Sequence, residues 1–419
     1  MPRDQGRRTT DWKTPIKPKS SSSLRAIPRG VWVLGFVSLF MDVSSEMIHA
    51  LLPVYLVAVL GASALTVGFI EGIAEATAMI TKIFSGALSD WLGRRKLLAA
   101  IGYGLSAFTK PIFPLASNLG WLVTARFVDR VGKGIRGAPR DALVAELSPQ
   151  AVRGASFGLR QSLDTVGAFL GPLLAIALMA LTRDNFTFVF WVAVLPAFLS
   201  FGLISFGVEE PVRDPSENNR RRLRFSDASR LPPAFWTVVA AAAVLTLARF
   251  SEAFLLLKAR DVGLALALVP AVLVVMNIAY ALSAYPAGAL SDRLGRGGVL
   301  LSGVALLALA DLVLAFAGTL PWVALGTLIW GLHMGLTQGL LAALVADTAP
   351  EDLRGTAFGI FNLAGGIAML LASVIAGALW DAYGPMMTFL AGAAVTSVAL
   401  AWLALIEWRH RKQGRTPIG

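Results

Sequence analysis

Apolar runs, most of them 20 to 28 residues long, follow one another along the whole chain, at 31–58, 64–88, 97–116, 119–146, 155–181, 186–207, 234–257, 263–290, 298–318, 321–347, 356–380 and 386–407. At 1.5 Å per residue each such run crosses a hydrocarbon layer of about 30 Å. Backbone polar groups in lipid must be satisfied within the protein, so the runs are expected to be helices. The apolar share of 56% and charged share of 15% agree, since soluble domains carry about 25% charged residues. The fold class expected is an all-α membrane protein with twelve transmembrane helices.

The chain also repeats itself. GALSDWLGRRK at 86–96 returns as GALSDRLGRGG at 288–298, and LVAELSPQAVRGASFG at 143–158 returns as LVADTAPEDLRGTAFG at 344–359. Ser45 and Glu46 in the first span have counterparts in Ser251 and Glu252 in the seventh. Two pseudo-symmetric six-helix halves, 31–207 and 234–407, therefore enclose a site near the midplane. The long polar link 208–233 divides them. Residues 1–30 read as a disordered basic tail and 408–419 as a short second tail.

Lys and Arg gather on alternate links, at Arg94 to Lys96, Arg153, Arg220 to Arg222, Arg293, Arg296, Arg354 and Arg409. The positive-inside rule then puts both termini and the linker in the cytoplasm, of a bacterial inner membrane. The net charge of +11 is thereby read as topology and contact with the bilayer, with no nucleic-acid role. Without cysteine the chain has no disulfide and no thiol catalysis, and it shows no motif of an enzyme or of a bound cofactor.

The motif G-x-L-S-D-x-x-G-R-R at 86–95, its echo from Gly288 and the R-G-x-x-F-G starts of the fifth and eleventh spans resemble the major facilitator superfamily. The resemblance covers about residues 30 to 408 and weakens at Gly297 and Gly298, where the echo lacks basic residues. It implies alternating access by a monomer and a charge cluster that gates the cytoplasmic side: Asp90, Arg94 and Glu146, repeated as Asp292, Arg296 and Asp347. Gly86 and Gly288 would permit close helix approach, and Asp90 could face the start of the eleventh helix and its dipole. Gly158, Gly167 and Gly171-Pro172 resemble the family's exporter motif, although Ala175-Ile176 stands where two glycines end it.

Charge inside the membrane costs about 2.5 to 3.5 kcal/mol per group, so it marks function. In the fourth span Arg126, Asp129, Arg130, Lys133, Arg136, Arg140 and Asp141 share an arc of about 140° at 100° per residue. Asp42, Glu46 and His49 form a second stripe, Glu71, Glu75 and Lys82 a third, and Lys110, Arg160, Gln161 and Asp164 add to them. The second half is poorer in charge and offers Asn277, Tyr280, Trp330, Gln338 and Asn362 beside Arg249, Glu252, Asp311 and His333.

The expected substrate-binding set is Arg126, Arg130, Lys133, Arg136, Arg160, Gln161, Asn277, Tyr280, Trp330, Gln338 and Asn362. Asp42, Glu46, Glu71, Asp129 and Glu252 are the proton-coupling candidates, because a carboxyl that exchanges a cationic neighbour for an apolar one changes its proton affinity. The expected function is a proton-coupled secondary transporter that exports a small anionic or zwitterionic organic molecule, driven by the proton gradient without a cofactor. Export of neutral or cationic drugs is an alternative. So is divalent-metal export through Asp42, Glu46 and His49, which the facing cations disfavour. A receptor or membrane enzyme fits least.

Overall fold

The computed structural model describes residues 26–210, 225–350 and 353–412. The tails at 1–25 and 413–419 and the linker segment 211–224 lie outside the described residues. The first half comprises α1 (Arg29–His49), α2 (Leu52–Ala58), α3 (Ala64–Leu92), α4 (Arg95–Thr109), α5 (Ile112–Leu115), α6 (Leu119–Leu147), α7 (Arg153–Thr182) and α8 (Phe186–Gly207). The second comprises α9 (Pro233–Ala248), α10 (Ala253–Asp261), α11 (Ala271–Leu294), α12 (Arg296–Phe316), α13 (Leu320–Thr348), α14 (Arg354–Tyr383) and α15 (Pro385–Lys412).

The first and seventh spans are each broken in mid-course. Between α1 and α2, Pro53 lacks the N–H that would continue the ladder. Between α9 and α10, Ser251 Oγ accepts the N–H of Ala253 and starts a new helix, while Ser373 Oγ accepts the N–H of Ser251. The second break leaves Arg249 and Glu252 between the two helices, where both line the central cavity.

Ten helical stretches among the described residues are long and apolar enough to span a membrane, the broken first and seventh spans each taken whole. The other two expected spans fail for separate reasons. The third is split into α4, of 15 residues, and the single turn α5. The fourth, α6, is long enough at 29 residues but too charged.

The start of α1, the end of α8, the start of α9 and the end of α15 share one face of the bundle, here called the terminal face. On the opposite face one apolar core joins both halves, from Val43, Leu52 and Phe190 to Phe254, Trp330 and Phe389. Towards the terminal face the core divides in two: Val31, Leu34, Tyr103 and Ile204 in the first half, Phe235, Val304, Leu344 and Leu403 in the second. The halves are thus fused at one end and parted at the other. A seam of small residues persists between α3 and α14, where a Cβ on Gly72 or Gly377 would lie only 3.0 Å from Leu370 or 2.5 Å from Ala64.

Candidate functional site

The charged arc of α6 faces α1, α3, α4 and α7. Arg126 donates from one Nη2 to Glu71 Oε2 at 2.6 Å and contacts His49 Nδ1 at 2.7 Å. Lys110 Nζ, where α4 ends, lies 3.1 Å from Asp129 and donates to Ser45 Oγ at 3.1 Å. Arg130 pairs with Glu75 at 3.1 Å. Arg136 donates to Ser106 Oγ and stands over the Tyr103 ring, 5.0 Å from its centre. Arg140 reaches Asp141 at 3.1 Å and Asp164 at 3.5 Å, and Arg160 lies 3.6 Å from Asp164. What helical periodicity suggests is one wet face is mostly an ion-pair spine that ties the first half together.

This placement separates the expected binding residues. Arg126 is 1% exposed and held through Nη2 by Glu71 and His49, and it does not line the cavity. Arg136 is buried against Tyr103, and Arg160 is held by Asp164 and Gln161. Trp330 is fully buried, its ring 5.5 Å from Phe250. Tyr280 is half-buried and lines neither chamber described below. Aromatic side chains fit a core as readily as a binding wall, and the joined core of the opposite face claims Trp330.

The cavity between the halves has two adjoining chambers. The first, of about 190 Å³, is ionic: Glu46, Glu75, Arg130 and Lys133 face Arg249 and Glu252, with Asn277 beside them. The second, of about 240 Å³, lies in the second half among Thr246, His333, Gln338, Phe361 and Asn362. Met79 and Arg249 border both. Lys133 is exposed, and neither it nor Arg249 has a carboxylate within ion-pair distance among the described residues. Periodicity marks Lys133. Arg249 and the thioethers Met79, Met276, Met334 and Met369 escape the expected set, although an arginine in the seventh apolar run is a signal in itself.

Of the proton-coupling candidates, Glu71 and Asp129 are sealed into the spine, whereas Glu46 and Glu252 line the first chamber. His49 Nε2 is 4.0 Å from Glu252 and links the halves. Asp42 lies close to Asp164 of α7, so two carboxyl groups face each other between α1 and α7. Gly167 and Gly171 make that approach possible, since a Cβ on them would meet Leu39 O at 2.6 Å and Glu46 Cβ at 2.7 Å. Gly158 has open space around it.

No group of three or more His, Asp or Glu side chains suited to a metal occurs among the described residues. His49 turns to Arg126 and Glu71, which separates it from the Asp42 site.

At the terminal face the gate residues are partly visible. Arg296 pairs with Asp347, while Glu146 pairs with Arg95 at 3.0 Å in place of the expected Arg94, which caps α4 and points outward. The side chains of Asp90 and Asp292 lie outside the described residues. Gly86 meets Ala138 of α6 at ordinary contact, 3.5 Å from an added Cβ, and Gly288 has no neighbour within 4 Å, so close approach at Gly288 is not seen.

The sequence matches the family model described as Major Facilitator Superfamily over residues 34–276 and 253–419. An uncharacterized MFS-type transporter of Methanocaldococcus jannaschii is 33% identical over 389 residues, covering 91% of this chain and 96% of that protein. The quinolone resistance protein NorA of Staphylococcus aureus is 25% identical over 218 residues, 52% of this chain and 54% of that one. Among solved structures, the nucleoside transporter NupG is similar with a TM-score of 0.76 at 13% identity, covering 90% of this chain and 99% of its own, a likeness of fold.

Proposed function

Because the chain belongs to the Major Facilitator Superfamily, and so is a multi-pass membrane transporter and no enzyme, we propose that it is a proton-coupled exporter of a small anionic or zwitterionic organic molecule. The observation that carries this reading is the pair of unpartnered cations, Lys133 and Arg249, which face one chamber from opposite halves. Neither cation has a carboxylate within ion-pair distance among the described residues, and an anion that arrives with the cargo would supply the missing partner. Binding one anion between two halves also draws them together, which alternating access requires.

Coupling to protons rests on the neighbouring carboxyl groups of Asp42 and Asp164, a short step along α1 from Glu46 in the chamber. With the termini cytoplasmic, as the distribution of Lys and Arg argues, the parted cores open the cavity to the cytoplasm, where an exporter collects its cargo. The glycine spacing of α7 and the relation to a quinolone resistance protein support the outward direction. That relation also favours a second reading, a drug/proton antiporter for neutral or cationic compounds, with Glu46 and Glu252 as the cation site.

Purified protein in liposomes with a pH-sensitive dye inside distinguishes these readings. An aryl carboxylate should move protons against an imposed gradient, and a quaternary ammonium dye should not. Proton movement with the dye alone favours the drug antiporter. Exchange of labelled carboxylate without any proton movement rules out proton coupling.

A further inference from the structure

The second chamber is not a continuation of the first. Its charged border is Arg249 alone; the rest is neutral, and its polar groups divide into spent and unspent ones. Thr246 donates to Ala242 O at 2.8 Å and Thr337 to His333 O at 2.9 Å, so both hydroxyl protons are used within their own helices. His333 Nδ1 is engaged with Gly303 O at 2.8 Å. The carboxamides of Gln338 on α13 and Asn362 on α14 make no hydrogen bond among the described residues, yet both line the chamber. Each carries two donors and one acceptor oxygen. Phe361 and Met79 supply a ring face and a polarisable thioether beside them.

Two unspent carboxamides beside an aromatic ring suit a planar, uncharged group with a hydrogen-bonding edge, such as an aromatic amide or lactam. Such a group is costly to bury without partners, so a site of this kind selects for it. Building on the anion reading above, we propose that the second chamber is a separate recognition subsite, and that the cargo is a two-part molecule. Its anionic head sits on Lys133 and Arg249 in the first chamber, and its neutral aromatic amide body sits against Gln338, Asn362 and Phe361 in the second. Arg249, at the junction, fixes the distance between head and body.

The two chambers can be probed separately with N-(2-naphthoyl)glycine, its uncharged primary amide, and N-acetylglycine, which keeps the head and lacks the ring. Binding is measured by calorimetry on the full-length protein, unaltered and as Gln338→Leu, Asn362→Leu and Lys133→Gln variants; leucine keeps the approximate size while removing the hydrogen bonds. The leucine variants should weaken naphthoylglycine and its amide about tenfold and leave N-acetylglycine within about twofold. Lys133→Gln should weaken the two carboxylates and spare the amide.

Leucine variants that leave naphthoylglycine unaffected, or that weaken all three probes equally, overturn the second subsite while the anion reading stands. A Lys133→Gln variant that weakens the amide as much as the acid overturns the anion reading, and the leucine variants then still report on the subsite. No binding of any probe to the unaltered protein at millimolar concentration overturns the proposed cargo class. Thermal unfolding of each variant checks that it is folded.

Discussion

Asp381, near the end of α14, accepts the backbone N–H of Ala64 at 2.9 Å, and its other oxygen accepts that of Leu65 at 2.9 Å. These are orphan donors of the first turn of α3, so a carboxylate from one half caps a helix of the other and meets the positive end of its dipole. The contact lies on the opposite face, where the apolar cores are joined, and must open if the cavity is ever to face that way. Asp381→Asn removes the charge and one of the two acceptors, a loss of about 1 to 2 kcal/mol. The expected result is a five- to thirtyfold shift of the conformational equilibrium away from closure of that face. Spin labels at Val57 and Arg260 should report it as a longer-distance population, and an unchanged distribution would deny Asp381 a latching role.

Lys133 is the head-group cation least committed to other partners. Lys133→Gln should weaken an aryl carboxylate by about thirtyfold, since hydrogen bonds to charged groups contribute roughly 1.5 to 3 kcal/mol. Thermal stability should remain close to that of the unaltered protein, because no ion pair is broken. A large drop in melting temperature would make Lys133 structural.

Arg126 should behave in the contrary manner. Arg126→Gln leaves Glu71 charged in the interior without its 2.6 Å partner, a change that typically costs about 3 to 5 kcal/mol. Thermal unfolding should reveal a strong loss of stability. Replacing both partners, Arg126→Met with Glu71→Leu, should recover most of it, because an apolar pair removes the desolvation cost of both groups. Failure of the double variant to recover would mean that the pair has a further role, with His49 as the first place to look.

Asp42→Asn and Asp164→Asn should each abolish proton movement in liposomes while allowing exchange of labelled cargo across the membrane. A carboxamide keeps the size and polarity of the carboxyl group but cannot release a proton. Full pH-driven transport by both variants would exclude this pair as the coupling site.

The fold was legible because lipid permits so few backbone solutions: the length of each apolar run, together with the doubled GALSD motif, determines a helical bundle in two halves. The arc on α6 was legible too, since it depends only on helical geometry. The partners were not. Periodicity shows that Arg126 and Lys133 share a face, but whether Glu71 or open space lies opposite is decided by how α3 packs on α6. The same limit explains the exchange of Arg95 for Arg94 at Glu146, because neighbouring residues at a helix start differ by about 100° in direction. Trp330 meets Phe250 in the joined core, a contact between separate spans that no local pattern carries.

The ion-pair spine of α6 also bears on how the chain enters the membrane. Arg126, Asp129, Arg130, Lys133 and Arg136 follow one another through the middle of the helix, each costing about 2.5 to 3.5 kcal/mol if it meets lipid alone. The short α4 before it is scarcely better suited to insert unaided. The charged partners Glu71, Glu75 and Lys110 and the hydroxyl of Ser106 all precede α6 in the sequence, so a nascent chain already holds the groups that pair with Arg126, Asp129, Arg130 and Arg136 when α6 emerges. Membrane insertion of the fourth span is thereby a cooperative event with the second and third, and the charges that shape the cavity also dictate the order of its assembly.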